Sequence, residues 1–351
     1  MGESRILVQN FYKCGLKMIY WGISNFFLGG NMSFLCHLCK SFVTNNLFIH
    51  RKYNSYFSGK LFATTSFLLQ GILFTFFIDA TYGYGSHYRL SDKYKHLEFI
   101  GFDRDLESVN NSNNDDKVYH LNFSQISKYL IDNNLIPISG ILYDFGVSSH
   151  QIDNFRRGFS FQKDGDLDMR MDQLQKLTAN EVVNEYSEDK LINIFRMYSE
   201  DKHSKKIAKE IVNSRPIYGS QNLVEVIKNS LPKQNPIYTN KTIRRIFQAL
   251  RIEVNNELYE IKTSLESIKN LISKDGVIVC ISYHSLEDKI VKNFIKEISI
   301  DCICEPKVPI CKCNTRQEYI IPKKRKFVPT DKEKEINSRS KSAIMRYAIK
   351  I

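Results

Sequence analysis

Ile141-Leu-Tyr-Asp-Phe-Gly-Val-Ser-Ser-His-Gln-Ile-Asp153 runs on to Arg157-Gly-Phe-Ser-Phe161 and Asp164-Gly-Asp-Leu-Asp-Met-Arg-Met-Asp172. Gly140 to Phe145 reads as a buried strand with Asp144 at its carboxyl end. The chain then enters a long polar loop in which Asp, Arg, Gly and Phe residues alternate. In an open α/β sheet, ligands sit in the crevice beyond the carboxyl ends of the strands. A long loop of this composition at that place reads as a site rather than a spacer. A merely solvated acidic loop would not need aromatic and Met residues threaded between its charges.

Working upstream, Ile72 to Ala80 is a β-rich apolar run that ends in Asp79 and the turn Thr81-Tyr-Gly-Tyr-Gly-Ser-His87. Glycines directly after a strand let the backbone approach a ligand closely. Leu97 to Phe102 reads as a second strand, and Asp103 at its end can accept hydrogen bonds from the ribose hydroxyls of an adenosine. Tyr88 stands where a dinucleotide fingerprint needs its third glycine, so a cofactor without a pyrophosphate fits better. Val118 to Asn122 is a third short strand, followed by Phe123 and a helix that Ser124 can cap. Phe123 suits either stacking on an adenine or filling the core.

Downstream, Leu177 to about Thr242 changes to charged helices, exemplified by Asp189 to Tyr198 and Lys205 to Val212, with Pro216, Pro232 and Pro236 in the loops. Ile243, Ile246, Phe247, Leu250, Val254, Leu258 and Ile261 recur at three- and four-residue steps, which predicts one core helix returning to the sheet. Gly276 to Ser282 is the fifth strand and delivers Tyr283 and His284 to the edge that carries Asp144. Ser285 to Asp288 reads as a capping box. His284 suits contact with a base or phosphate, acceptance of a proton, or a structural place beside the helix start. The end of Arg339 to Tyr347 is apolar enough for a closing strand.

Four segments together resemble the RsmH (MraW) family: the opening stretch, Asp79 to His87, Arg245 to Ile252 with Asn255 to Leu258, and Ile281 to Asp288. The likeness runs from about Thr64 to the C-terminus. It implies a Rossmann-like class I methyltransferase fold, α/β, with a helical subdomain inserted between the fourth and fifth strands. It also implies S-adenosyl-L-methionine as cofactor and the exocyclic N4 amine of a cytidine in small-subunit ribosomal RNA as substrate. Carried over residue by residue, cofactor contacts fall on Gly85, Ser86, His87, Asp103, Phe123, Asp144 and Gln151. Ser86 stands in place of a usual glycine, and His150 in place of the proline usual before Gln151.

On that reading Asp144 and His284 are the catalytic candidates. Asp144 would orient the amine and accept its hydrogens, since the amine becomes acidic only once methyl transfer begins; its other reading is a cap of its own loop. A duplex buries this amine, so the target must be single-stranded or flipped. Arg157, Phe159, Phe161 and Arg170 are the candidate substrate residues of an RNA clamp or lid, with Arg156, Lys163 and Phe155 beside them. Alternatively these aromatics pack the loop on the protein body. Rival readings are an amino-methyltransferase of another nucleic acid and a non-catalytic RNA-binding assembly factor.

Composition agrees with a globular enzyme, with 351 residues of which 42% are hydrophobic. The formal charge of +12 concentrates at the ends, +6 over residues 1–78 and +7 over 301–351. A basic segment on a neutral body suits a polyanionic partner, and Lys323-Lys-Arg-Lys326 is the densest run. Residues 1–60 are basic, acid-poor and rich in Ser and Asn, the composition of an organellar (mitochondrial or plastid) targeting leader. The uncharged stretch Met18 to Cys39 is long enough to span a bilayer, but its Gly, Ser and Asn content favours import over a stable membrane anchor. The expected organisation is 1–60 leader, 61–153 first part of the methyltransferase core, 154–242 substrate loop and helical insert, and 243–351 second part of the core with a basic tail. The eight cysteines do not form a secreted disulfide framework. Cys36-His-Leu-Cys39 lacks a second pair, whereas Cys302, Cys304, Cys311 and Cys313 form two C-x-C pairs that suit a tetrahedral zinc without being diagnostic of one, and no metal is assigned.

Overall fold

The computed structural model describes residues 75–94, 96–232, 235–304, 313 and 315–351. The leader, the Cys36/Cys39 pair, Ile72 to Phe74 and Cys311 lie outside the described residues. Apolar, β-branched runs form the parallel strands β1 (Thr75–Asp79), β2 (Leu97–Asp103), β3 (Val118–His120), β4 (Ile138–Asp144) and β5 (Ile272–Ser282). Two further strands, β6 (Tyr319–Ile320) and β7 (Ile344–Lys350), complete a seven-stranded sheet ordered β3-β2-β1-β4-β5-β7-β6. β7 runs antiparallel to both β5 and β6. This is the Rossmann-like α/β arrangement expected. Strand order reverses between β1 and β4, and the crevice at such a switch point is where open α/β sheets bind ligands.

The sheet is flanked by α1 (Leu106–Asn110), α2 (Ile126–Asp132), α3 (Ser149–Asp153), α9 (Glu257–Ile268) and α10 (Ser285–Ile298). One side of its core gathers Ile78, Phe102, Ile141, Tyr143, Leu265 and Phe294. The other gathers Phe77, Phe99, Leu142, Val279 and Met345. Between β4 and β5 the chain builds α4 (Ala179–Glu185), α5 (Glu188–Ile194), α6 (Ser204–Asn213), α7 (Gly219–Ser230) and α8 (Pro236–Asn255). These helices enclose their own core around Val182, Leu191, Phe195, Ile207, Leu223 and Leu250. A short α11 (Asp331–Ile336) precedes β7. Among the described residues no helix is long and apolar enough to cross a membrane.

Three local expectations are corrected. The single core helix through Ile261 is two helices, α8 and α9, because Asn256 adopts a left-handed conformation (φ 50, ψ 35). The preceding Asn255 fixes that corner, since its side chain donates to Met169 O at 2.7 Å and accepts from Met171 N at 2.8 Å. The cap of α10 is His284 with Glu287, one residue before the Ser285–Asp288 box, because Glu287 Oε2 accepts from the backbone N–H of both Tyr283 (2.7 Å) and His284 (3.2 Å). After β3, Asn122 and Gln125 open the chain's next turn instead of Ser124, with Gln125 Oε1 accepting from Asn122 N at 3.2 Å.

Candidate active site

The parallel strands put Asp79, Asp103 and Asp144 at the same carboxyl edge. Asp144 sits beside the switch point, and the loop after β1 closes over it from the other side. Its backbone N–H donates to Thr81 Oγ1 at 2.8 Å. Its two carboxylate oxygens are held separately, Oδ2 at 3.3 Å from His87 Nε2 and Oδ1 at 2.9 Å from the Tyr283 hydroxyl, which donates. Residues from three strand ends thus converge on one carboxylate that stays 23% exposed.

Electrostatics follow from this burial. Burial works against a charge on His87, but the hydrogen bond and charge of Asp144, with the charge of Asp79, outweigh it and hold the imidazole above its ordinary range. Burial pushes Asp79 up to about 6 against the opposing pull of His87 and the Thr81 N–H. Asp79 is 1% exposed and its Oδ2 is an unpartnered buried oxygen. Burial, then the Asp144 charge and hydrogen bond, raise Tyr283 well above its usual value, so its hydroxyl remains a donor.

The turn carrying His87 depends on Gly85, whose φ of +70 lies in the left-handed region and whose added Cβ would meet Tyr82 Oη at 2.8 Å. Ser86 is exposed on the same turn. Asp103 accepts Gly83 N–H on Oδ2 (2.7 Å) and Asp105 N–H on Oδ1 (2.8 Å). Each oxygen retains a second acceptor site for a ribose hydroxyl. Burial pushes this carboxyl up to about 6, against those two backbone bonds. Phe123 packs edge-on to Tyr143 and Phe145, with centroids 6.2 and 6.0 Å away. A cavity of about 500 Å³ opens beside these residues, walled by Arg104, His120, Asn122, Asp172, Asn255 and Glu260. None of Gly85, His87, Asp103, Phe123, Asp144 and Tyr283 lines it.

Other expected site residues are placed differently. Gln151 is 5% exposed and caps α3, its Oε1 accepting from Ser148 N and its Nε2 donating to Asp105 Oδ2 at 2.7 Å. Arg157 is 2% exposed, with NH2 2.8 Å from Asp105, NH1 2.9 Å from Glu107, and further bonds to the carbonyls of Arg170 and Met171. Its guanidinium therefore ties the 154–172 loop to the start of α1 rather than facing solvent. Arg170 is clamped by Asp168 and by the carbonyls of Gln173 and Gln175. Phe159 and Phe161 pack on the core of the inserted helices, Phe161 edge-on to Phe247 at 5.4 Å. Of the loop's basic and aromatic residues, Phe155 (45% exposed), Arg156 and Lys163 are exposed, and the Arg156 guanidinium lies 5.9 Å from the Phe155 ring.

His284 turns both ring nitrogens to Glu287, with Nδ1 accepting from its N–H at 3.4 Å and Nε2 in ion-pair contact at 2.9 Å. Burial alone would raise Glu287, but His284, Arg251 and the Tyr283 N–H hold it below the usual carboxylate range. Arg251 meets Glu257 through Nε (2.7 Å) and NH2 (2.9 Å). This buried cluster locks α8, α9 and α10 together behind Tyr283, so His284 is placed to position its neighbour. Sequence reasoning missed Asp79, Thr81 and Asp105 as parts of the site. Asp105 carried a usable signal, since an Asp immediately before Leu106 is a helix N-cap.

Residues 65–351 match the MraW methylase family. The chain belongs to that family. It is therefore a methyltransferase whose methyl donor is S-adenosylmethionine. The protein named ribosomal RNA small subunit methyltransferase H from Caldicellulosiruptor saccharolyticus is 43% identical over 286 residues, covering 78% of this chain and 92% of that one. The protein of the same name from Clostridioides difficile is 41% identical over 290 residues, with the same coverage. A solved rRNA methylase from Streptococcus thermophilus aligns over 82% of this chain and 95% of its own with 8% identity and a TM-score of 0.35. The carboxylates at the strand ends suit the cofactor's cationic sulfonium, and Asp103 with the Gly83–Gly85 turn suits its adenosine. In this chain, Gly85, His87, Asp103, Phe123 and Asp144 are brought to one edge, whereas Arg157, Phe159, Phe161 and Arg170 are engaged by the protein itself.

Proposed function

We propose that this chain methylates the exocyclic N4 amine of a cytidine in small-subunit ribosomal RNA of an organelle. The observation that carries the reading is the Asp144 carboxylate held at the switch point by His87 on one oxygen and Tyr283 on the other. Bound S-adenosylmethionine would supply an electrophilic methyl group on a sulfonium whose sulfur leaves as a neutral thioether when its bond to the methyl breaks. Gly85, Ser86 and His87 would hold its methionine end, Asp103 its ribose and Phe123 its adenine. Asp144 accepts a hydrogen bond from the target amine, which turns the nitrogen lone pair toward the methyl. Fixing that acceptor beforehand removes reorganisation from the transition state. As the N–C bond forms the nitrogen becomes acidic, and Asp144 accepts its proton with His87 beside it. Tyr283 keeps the carboxylate oriented, and the buried pair His284–Glu287 positions Tyr283.

An RNA substrate is supported by the exposed Lys323-Lys-Arg-Lys326 run and the exposed Phe155–Arg156 pair. The names of the relatives support the small ribosomal subunit as the source of that RNA. Import is supported by the basic, acid-poor residues ahead of the family match. The test has two arms. Purified chain, labelled S-adenosylmethionine and small ribosomal subunits should give N4-methylcytidine, with naked transfer RNA and DNA as controls. Depletion of the protein should remove that nucleoside from organellar ribosomal RNA and leave it unchanged in cytosolic ribosomes. Label on another nucleic acid, or cofactor binding with no methyl transfer, defeats the proposal.

A further inference from the structure

The segment between α10 and β6 gathers thiols that the transfer reaction does not use. The sulfur atoms of Cys302, Cys304 and Cys313 all lie within 4.8 Å of one another. Cys313 Sγ and Cys302 Sγ are 3.8 Å apart, well beyond the roughly 2.05 Å of a disulfide. Zinc–sulfur bonds of about 2.3 Å in a tetrahedron require sulfur–sulfur edges of about 3.8 Å. Two backbone donors aim at these sulfurs, Ile303 N–H to Cys313 at 3.5 Å and Cys304 N–H to Cys302 at 3.4 Å. Donors of that kind favour the thiolate, which is the form that binds metal. The sequence supplies a further thiol, Cys311, two residues before Cys313 and outside the described residues.

A second group of potential ligands, Glu257, His284 and Glu287, also converges, but there the cation is already present as the guanidinium of Arg251. The cysteine group consists of soft ligands that select zinc over magnesium or calcium.

We propose that Cys302, Cys304 and Cys313 are ligands of a structural zinc ion that closes the segment between α10 and β6. That ion would join the end of α10 to the strand that pairs with β7, and so fix the start of the basic Lys323–Lys326 segment relative to the sheet. The ion takes no part in methyl transfer.

The full chain, purified under reducing conditions from zinc-supplemented culture, is the material for the test. Elemental analysis should find about one zinc per chain, the stoichiometry of a mononuclear structural site. Cobalt(II) replacement should give the intense visible bands of a tetrahedral thiolate complex, a readout independent of activity. C302S and C313S should each lower zinc content several-fold, while S-adenosylmethionine binding persists as evidence that the sheet is folded. Metal-free wild-type chain that binds cofactor and takes up neither zinc nor cobalt overturns the proposal. So does a Cys302–Cys313 disulfide in the chain as isolated from cells.

Discussion

Replacing Arg157 separates two readings of the same residue. The loop's composition makes it a candidate RNA contact; the structure makes it the buried anchor of the 154–172 loop. In Arg157→Met, Asp105, whose side chain is 3% exposed, loses its charge partner, while Gln151 Nε2 still donates to it. Stranding one member of a buried pair costs about 3–5 kcal/mol. The second partner, Glu107, is 34% exposed, so its share is at most about 1 kcal/mol. The carbonyls of Arg170 and Met171 also lose a donor, which loosens the far end of the loop. The net loss of about 4 kcal/mol should lower the thermal midpoint by on the order of 10 °C. Chemical denaturation with calorimetry checks the stability. RNA affinity against salt, measured below the midpoint, checks the rival, because each phosphate contact to a single strand contributes a slope of about 0.7. The buried-anchor account expects a large stability loss with an unchanged salt slope. Unchanged stability with a slope reduced by about 0.7 would refute it.

Four further outcomes are expected. Asp144→Asn should lower kcat by roughly 10²–10⁴-fold with cofactor binding largely retained, and Tyr283→Phe, which removes one hydrogen bond to that carboxylate, by roughly 10-fold; single-turnover methylation measures both, and equal rates for wild type and Asp144→Asn would remove Asp144 from the mechanism. Asp79 and Asp103 carry carboxyls raised to about 6. The folded chain therefore keeps protons that the unfolded chain releases near pH 3.8, so stability should fall as pH rises from about 4 to 6. Cofactor affinity should move the other way, weakening as pH drops through about 6, because the ribose hydroxyls need an ionised Asp103; titration calorimetry on wild type and Asp103→Asn reads this, and a pH-independent wild type contradicts it. Gly158→Ala should destabilise the loop by about 1–3 kcal/mol, since its φ is +72 and a Cβ would meet Asp166 O at 2.2 Å. Proteolysis within residues 154–172 should accelerate in that variant, and wild-type protection would count against a required left-handed turn.

The parallel strands and the acids at their ends were legible in the sequence because a strand buried on both faces must be a short apolar run. A polar residue that ends such a run falls at the sheet edge by necessity, which is how Asp103 and Asp144 could be found. The Gly85 turn was legible for a related reason, since only glycine relaxes at positive φ without a Cβ. The break between α8 and α9 was not, because the apolar period continues in phase across Asn256 while the side chain of Asn255 fixes the corner through distant partners. Nor could composition tell an arginine that faces RNA from one that faces Asp105. Arg157, Gln151 and Asp105 meet only when the 154–172 loop folds back on α1, a contact 52 residues apart in the chain for Arg157 and Asp105. The same limit applies to His87 and Tyr283, which reach Asp144 across 57 and 139 residues. Local sequence determines which strands form and where their acids fall, because burial and backbone sterics act on neighbours. Which side chain grips which carboxylate is decided by chain return in three dimensions, because the low dielectric that makes those pairings strong exists only after the core has closed.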